Sequence, residues 1–247
     1  MSLPEFYSHR FRQEMLCHPV WLPGQGVVPG DIGIMRDGIF HREGSYTDYG
    51  AATAIVEEEE IPVSARSKFS VGISLSLSLG AEATVDPNAK VGGKLNFKRG
   101  GGVLLHVSDQ RRRYIRNLRE VMETLPWGSQ SFGRDTVFVS EVRLAKAIAL
   151  VLSESGDTGV ELTGKAKALQ QLDIADASVA FGATSAASYT TAIRDPAGVA
   201  FYPYGLLLYR ARTGWWQDGK VVPLESDSAA KSAPDPFAEV SPYDEDL

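Results

Sequence analysis

The chain has 247 residues, 43% of them apolar and 23% charged, with a formal net charge of −6. That length and balance fit one globular domain with a substantial core and exclude collagen-like, coiled-coil and wholly disordered chains. Residues 225–247 hold seven acids and one base, which leaves 24 acids and 24 bases before them, so the body is neutral and lacks the basic balance of a nucleic-acid binder.

The opening Met-Ser-Leu-Pro-Glu-Phe-Tyr lacks the basic start and apolar run of a secretory signal. Cys17 is the one cysteine, so no intramolecular disulfide forms and a cysteine-based zinc site lacks its ligands. A reducing cytoplasm is the expected compartment. No apolar run reaches the length of a transmembrane helix, a test that alternating membrane strands escape.

In chain order, residues 27–50 read as a hairpin, with Ile32, Ile34 and Met35 leading into Arg36-Asp37-Gly38. Glu57 to Glu60 read as a solvated linker or edge. Residues 69–85 alternate without a break. Phe69, Val71, Ile73, Leu75, Leu77, Leu79, Ala81, Ala83 and Val85 take one face; serine, glycine, Glu82 and Thr84 take the other. At about 3.3 Å per residue the run would reach ~56 Å as one strand. Asp86-Pro87-Asn88 supplies a turn. Ala89, Val91, Gly93, Leu95 and Phe97 then alternate with Lys90, Gly92, Lys94, Asn96 and Lys98, so the second polar face is cationic.

Three glycines, 100–102, interrupt, and a strand resumes at Val103 to Val107. Ile115, Leu118, Met122 and Leu125 then fall on a helical stripe. A helix is expected over 109–125, with Arg111, Arg112, Arg113, Arg116 and Arg119 crowding its first half. Residues 136–152 are apolar-rich and are assigned to a strand, residues 160–168 alternate cleanly, and residues 199–212 form a closing strand. Past Leu224 the composition turns to Ser, Ala, Pro and Asp, a flexible tail with Phe237, Val240 and Tyr243 as spaced apolar anchors.

Catalytic signals are absent. Gly159 to Ala166 approaches the phosphate-loop spacing, but Ala166 replaces the hydroxyl that would hold magnesium, and the stretch alternates as a strand. No nucleophile elbow is present, and His9, His18, His41 and His106 show no metal-ligand spacing. The expectation is a non-enzyme without metal or cofactor. The arginine cluster fits either a solvated face or an anionic lipid surface, which attracts basic residues. The long hairpin fits either a soluble sheet or membrane strands, which need only ~10 alternating residues.

The order of parts resembles the bacterial gasdermins. The stretches that carry the resemblance are FSVGISLSLSLGAEATV with AKVGGKLNF, RRRYIRNLREVMETL, TVFVSEVRLAKAIALVL with GVELTGKAKAL, VAFYPYGLLLY and the tail. Paired alternating runs joined by short turns, with one main helical insertion, predict a single α+β domain over 1–224 with a twisted, mainly antiparallel central sheet; the resemblance, over roughly residues 20–224, implies a short β-rich N-terminal region and long amphipathic hairpins. Residues 225–247 would be an inhibitory acidic tail. It further implies a protein that is cytoplasmic when inactive. An activating protease would remove the tail, and the chain would then assemble as a homo-oligomeric pore in the inner membrane and kill a phage-infected cell. On that reading Val71, Ile73, Leu75, Leu77, Leu79, Val91, Leu95 and Phe97 enter acyl chains. Lys94, Lys98, Arg99, Arg111, Arg112, Arg113 and Arg116 meet acidic membrane lipids. Many bacterial gasdermins are acylated on a cysteine near the N-terminus; Cys17, the acylation candidate here, lies well inside. A soluble, non-enzymatic β-rich binding or regulatory module is the other function class the sequence supports.

Overall fold

Ser2 caps the first element. Its hydroxyl accepts from the Glu5 amide while the Glu5 carboxylate accepts from the Ser2 amide, a reciprocal cap on α1 (Leu3–Met15). Pro4 sits in the first turn, where its missing N–H costs nothing, and Leu16 in the left-handed conformation ends the helix. There follow β1 (His18–Pro19), β2 (Asp31–Arg36), β3 (Ile39–Ser45), a 3-10 turn (Tyr46–Tyr49), β4 (Val56–Glu60), β5 (Lys68–Val71), β6 (Ile73–Ser78), β7 (Lys90–Phe97) and β8 (Gly102–Ile115). Then come α2 (Leu118–Thr124), β9 (Thr136–Ser153), β10 (Gly159–Lys165), α3 (Ala166–Gln170), β11 (Ala180–Thr184), β12 (Ser188–Arg194), β13 (Tyr202–Ala211), β14 (Trp216–Gln217), β15 (Lys220–Val221) and β16 (Phe237–Glu239). This computed structural model describes residues 2–62, 65–78, 86, 88–127, 129, 132, 135–156, 159–171, 173–176, 178–184, 188–211, 216–217, 220–221 and 237–239.

The fold is α+β and mainly antiparallel. A ten-stranded sheet is built around β9, which pairs with β2, β8, β12 and β13. β4 and β5 add to the far edge of β8, β3 to β2, and β1 and β16 to β13. A second sheet has the order β11-β10-β7-β6. The 18 residues of β9 are nearly all buried because neighbours cover both its edges and both its faces.

Period two decides which core each side chain joins. Val103, Leu105, Ile148, Leu150 and Leu152 meet Tyr7, Phe11 and Met15 of α1. Leu104, Ala149 and Val151 face the opposite way and meet Leu95, Val160, Leu162 and Leu169 of the second sheet and α3. Each fully buried side chain of this size contributes about 1.5–3 kcal/mol relative to exposure.

Three expectations are corrected. The helix over 109–125 is confined to Leu118–Thr124. Residues 110–115 continue β8 in unbroken register past Asp109, whose φ is +49°, because β4 on one side and β9 on the other satisfy their backbone groups. The unbroken run from Phe69 is divided at Gly72, whose φ of +68° ends β5 and turns the chain into the other sheet. The alternation at 160–168 gives way to α3 after Lys165. Helix α1 precedes the stretch that carries the resemblance. Residues 79–85, including Leu79, and all of 225–247 except Phe237–Glu239 lie outside the described residues.

Candidate functional site

Four neighbouring strands of the large sheet, β5-β8-β9-β12, match four of the second sheet, β6-β7-β10-β11, in the same order. β5 runs into β6, β7 into β8, β9 into β10 and β11 into β12. The second sheet is therefore the continuation of the first, turned at a corner. Glycine makes the corner. A Cβ on Gly72 would lie 2.3 Å from Gly101 O, one on Gly101 2.2 Å from Ser153 O, and one on Gly156 2.5 Å from Lys98 O. Gly101 also has φ +83°, which side chains rarely adopt. The Lys98 amide donates to Gly72 O at 2.8 Å, tying two crossings together.

Beyond the corner the sheet has one apolar and one polar face. Leu75 opposes Leu95, which opposes Val160; Leu77 opposes Gly93, which opposes Leu162. This inner face sits on the core under α3. The outer face carries the rows Ser74–Asn96, Ser76–Lys94–Glu161 and Lys90–Lys165. The structure thus brings Ile73, Leu75, Leu77, Val91, Leu95 and Phe97 onto one face. Val71 lies before the corner and packs toward α1 instead. Lys94 is on the outer face, and Lys98 and Arg99 are exposed at the corner.

The remaining basic candidates meet acids. β4 pairs along β8 so that Glu58 opposes Arg113, Glu59 opposes Arg112 and Glu60 opposes Arg111. Glu58 accepts from Arg113 at 2.7 Å and Arg111 at 3.1 Å, Glu57 accepts from Arg116 at 2.7 Å, and Arg112 pairs with Glu59. Arg111 also reaches Glu60 at 3.4 Å, and Tyr114 Oη donates to Glu57 at 3.1 Å. The hydrogen bond from Arg113, aided by Arg111, holds the Glu58 carboxyl below its usual range. The acidic run is thus an edge strand rather than a linker. No signal local to either segment pairs them, since some 50 residues separate them.

Cys17 is 1% exposed, and burial pushes its thiol up to about 11. Its sulfur lies over Gly205, where a Cβ would come within 2.9 Å. His106 Nδ1 lies 3.0 Å from Asp173, and burial lowers its pKa while Asp173 opposes the shift. The phosphate-loop look-alike at 159–165 is a strand paired on both edges, so its amides serve the ladder. Among the described residues no group of three or more His, Cys, Asp or Glu is arranged to hold a metal, and no helix is long and apolar enough to cross a membrane.

No protein-family model matches the chain, and no curated protein matches it. Among solved structures it is similar to a bacterial gasdermin from Bradyrhizobium tropiciagri, at 16% identity, over 88% of this chain and 89% of that one. The TM-score of that match is 0.38, so neither family nor function follows from it.

Proposed function

We propose that this chain is an autoinhibited pore-forming protein of the bacterial gasdermin kind, whose second sheet straightens at the glycine corner to give membrane-spanning β-hairpins. The observation that carries this reading is the parity of the apolar positions through the corner. Val91, Leu95, Phe97, Val103, Leu105 and Val107 are all odd; Ile148, Leu150, Leu152, Val160 and Leu162 are all even. Phe69, Ile73, Leu75 and Leu77 are odd, as are Phe181, Tyr189 and Ile193. In the folded chain the two halves of each set serve different cores. In a straightened sheet they form one continuous apolar face, while Leu104, Ala149 and Val151, of the opposite parity and buried between the sheets in the folded chain, would turn to the lumen side.

Length favours the conversion. β7 has eight residues and β10 has seven. At about 3.3 Å each these give roughly 23–26 Å before tilt, short of the ~30 Å hydrocarbon layer. The joined runs 90–115 and 136–165 exceed it several-fold less their turns, leaving ends for both interfaces. Several copies closing a barrel would satisfy every backbone group in lipid. Acidic lipids are the partner, with the outer serine and lysine rows facing the lumen.

Inhibition is assigned to residues 225–247. Of these, Phe237–Glu239 pairs with Tyr209–Ala211 on the closing strand. An activating protease would release this segment; the chain would then move from the cytoplasm to the inner membrane and kill an infected cell as an anti-phage response. The test is dye release from anionic vesicles by the chain cut after Leu224, beside the intact chain. Release by the cut chain alone supports the reading. A cut chain that is folded and releases nothing leaves the soluble binding module as the better account.

A further inference from the structure

β4 is held unlike its neighbour β5. β5 buries Phe69 in the core beneath α1, whereas β4 is Val-Glu-Glu-Glu-Glu with Val56 45% exposed. Its grip on β8 is therefore a backbone ladder plus the carboxylate–guanidinium pairs of Glu57 to Glu60. The four arginine side chains remain between 36% and 61% exposed while so paired. The chain leaving β4 is held at Ile61, whose amide donates to Gln110 O at 3.0 Å, but is not sealed beneath. Ile61 borders three clefts of about 350, 520 and 350 Å³, lined by Arg111 and Lys146, by Arg66 and Arg143, and by Arg112 and Glu141. Exposed ion pairs are weak and easily screened.

We propose that β4 is a displaceable acidic strand that masks a lipid-binding edge, and that the phosphate headgroups of an anionic bilayer compete with Glu57 to Glu60 for Arg111, Arg112, Arg113 and Arg116. The inference rests on the reading that this protein meets a membrane, and adds a second lock to that of the C-terminal segment. Phosphate suits the site because guanidinium groups take phosphate oxygens in the same forked geometry as carboxylate. A bilayer also offers many phosphates at once, where β4 offers four carboxylates on a strand with almost no apolar anchorage. Lifting β4 frees the edge of β8 over 111–115, so that binding and unmasking are one event.

The experiment uses the intact chain with vesicles of phosphatidylglycerol and phosphatidylcholine, or of phosphatidylcholine alone. One variant converts Glu57, Glu58, Glu59 and Glu60 to Gln. Its control removes the same charge elsewhere, with Glu43, Glu123 and Glu154→Gln and Asp135→Asn. A third, Val56→Cys with Ile115→Cys, joins cross-strand partners and leaves every ladder charge in place. The ladder variant should bind anionic vesicles about tenfold more tightly than the control, equivalent to about 1.4 kcal/mol, with no gain on phosphatidylcholine. Amides 57 and 59, which point to β8 in this register, should lose exchange protection on binding in the wild type. The oxidised double-cysteine chain should bind more weakly than its own reduced form, which also controls for folding. Equal binding by ladder variant and control, retained protection in the bound wild type, or equal binding by oxidised and reduced forms would each overturn the proposal. Dye release enters none of these readings, so a failure of pore formation is recognised separately.

Discussion

The same substitution at two adjacent residues separates insertion from attachment. Leu75 is half-buried on the inner face of β6, and Ser76 is exposed in the row with Lys94 and Glu161. Leu75→Arg and Ser76→Arg add the same charge within one residue, so electrostatic attraction to an anionic vesicle rises equally. In the resting fold Leu75→Arg loses about 1 kcal/mol of partial burial, eased because the arginine stem can lie along the sheet edge. Ser76→Arg gains a like-charged neighbour in Lys94 at a few tenths of a kcal/mol. In lipid the two diverge. An arginine facing acyl chains costs about 2–4 kcal/mol near the midplane, or roughly 30- to 700-fold in the population of the inserted state. Every copy in a ring carries that cost. Facing the lumen, the Ser76→Arg side chain stays in water. The assay is dye release by the chain cut after Leu224, with co-sedimentation to measure binding and urea unfolding to show that both variants fold. Leu75→Arg should bind and fail to leak; Ser76→Arg should do both. Leakage by Leu75→Arg at the wild-type rate, or equal loss in both variants, would refute the assignment of faces.

Gly101→Ala should destabilise the folded chain by about 1–3 kcal/mol, since its φ is +83° and its Cβ would meet Ser153 O, and a lowered urea midpoint checks this. The Glu58 carboxyl is depressed by Arg113 and Arg111, so its contribution is fully present above the ordinary 4.5 and is lost as pH falls through the lower folded value. Amide protection over 56–60 should accordingly stay constant from neutrality to about pH 5 and fall in stronger acid, read by exchange at stepped pH. Cys17, buried with its thiol pushed up to about 11, should resist maleimide at pH 8 and react once urea unfolds the chain. Rapid labelling of the folded protein would contradict that burial.

The Asp37-Gly38 turn signal places the hairpin within 27–50, and period-two patterning places the strands at 90–97 and 159–165, because alternation reports which face of a sheet a residue takes. The apolar run at 199–212 marks β13 to within a few residues. The arginine stretch was misassigned because Ile115, Leu118, Met122 and Leu125 satisfy helical spacing equally well. They do share one core, but Ile115 reaches it from the end of a strand. What decided between the two was a partner, β4, that local sequence does not display. The acids of β4 and the arginines of β8 are each ambiguous alone and specific together. Helix α1 is legible through Ser2-Leu3-Pro4-Glu5 as a capping signal and Tyr7, Phe11 and Met15 at fourfold spacing.

The corner shows why a long alternating run need not be one strand. Alternation counts residues; it is blind to a dihedral at Gly72 or to a carbonyl lying where a Cβ would stand on Gly101. The bend leaves the parity of residues 69–77, 91–107 and 148–162 untouched, so alternation alone does not separate the folded, cornered sheet from a straight one. The folded chain divides this pattern between two cores, with Val103 and Leu105 against α1 and Leu95 and Phe97 against β10 and α3. Neither core by itself fixes the phase of the other, since Lys98 to Gly101 make a turn between them. Insertion of a single glycine after Gly100 tests that point directly. Gly100 is exposed and a Cβ there meets nothing within 4 Å, but its neighbour Gly101 donates to Lys98 O at 3.0 Å and lies against Ser153 O, so the resting fold should lose about 1–3 kcal/mol while residues 91–97 and 103–107 fall out of phase. Gly101→Ala, which disturbs the same turn at a similar cost and keeps the phase, is the control: dye release by the cut chain should collapse in the insertion and persist in the folded Gly101→Ala chain, and equal release by the two would show that the two sheets never act as one.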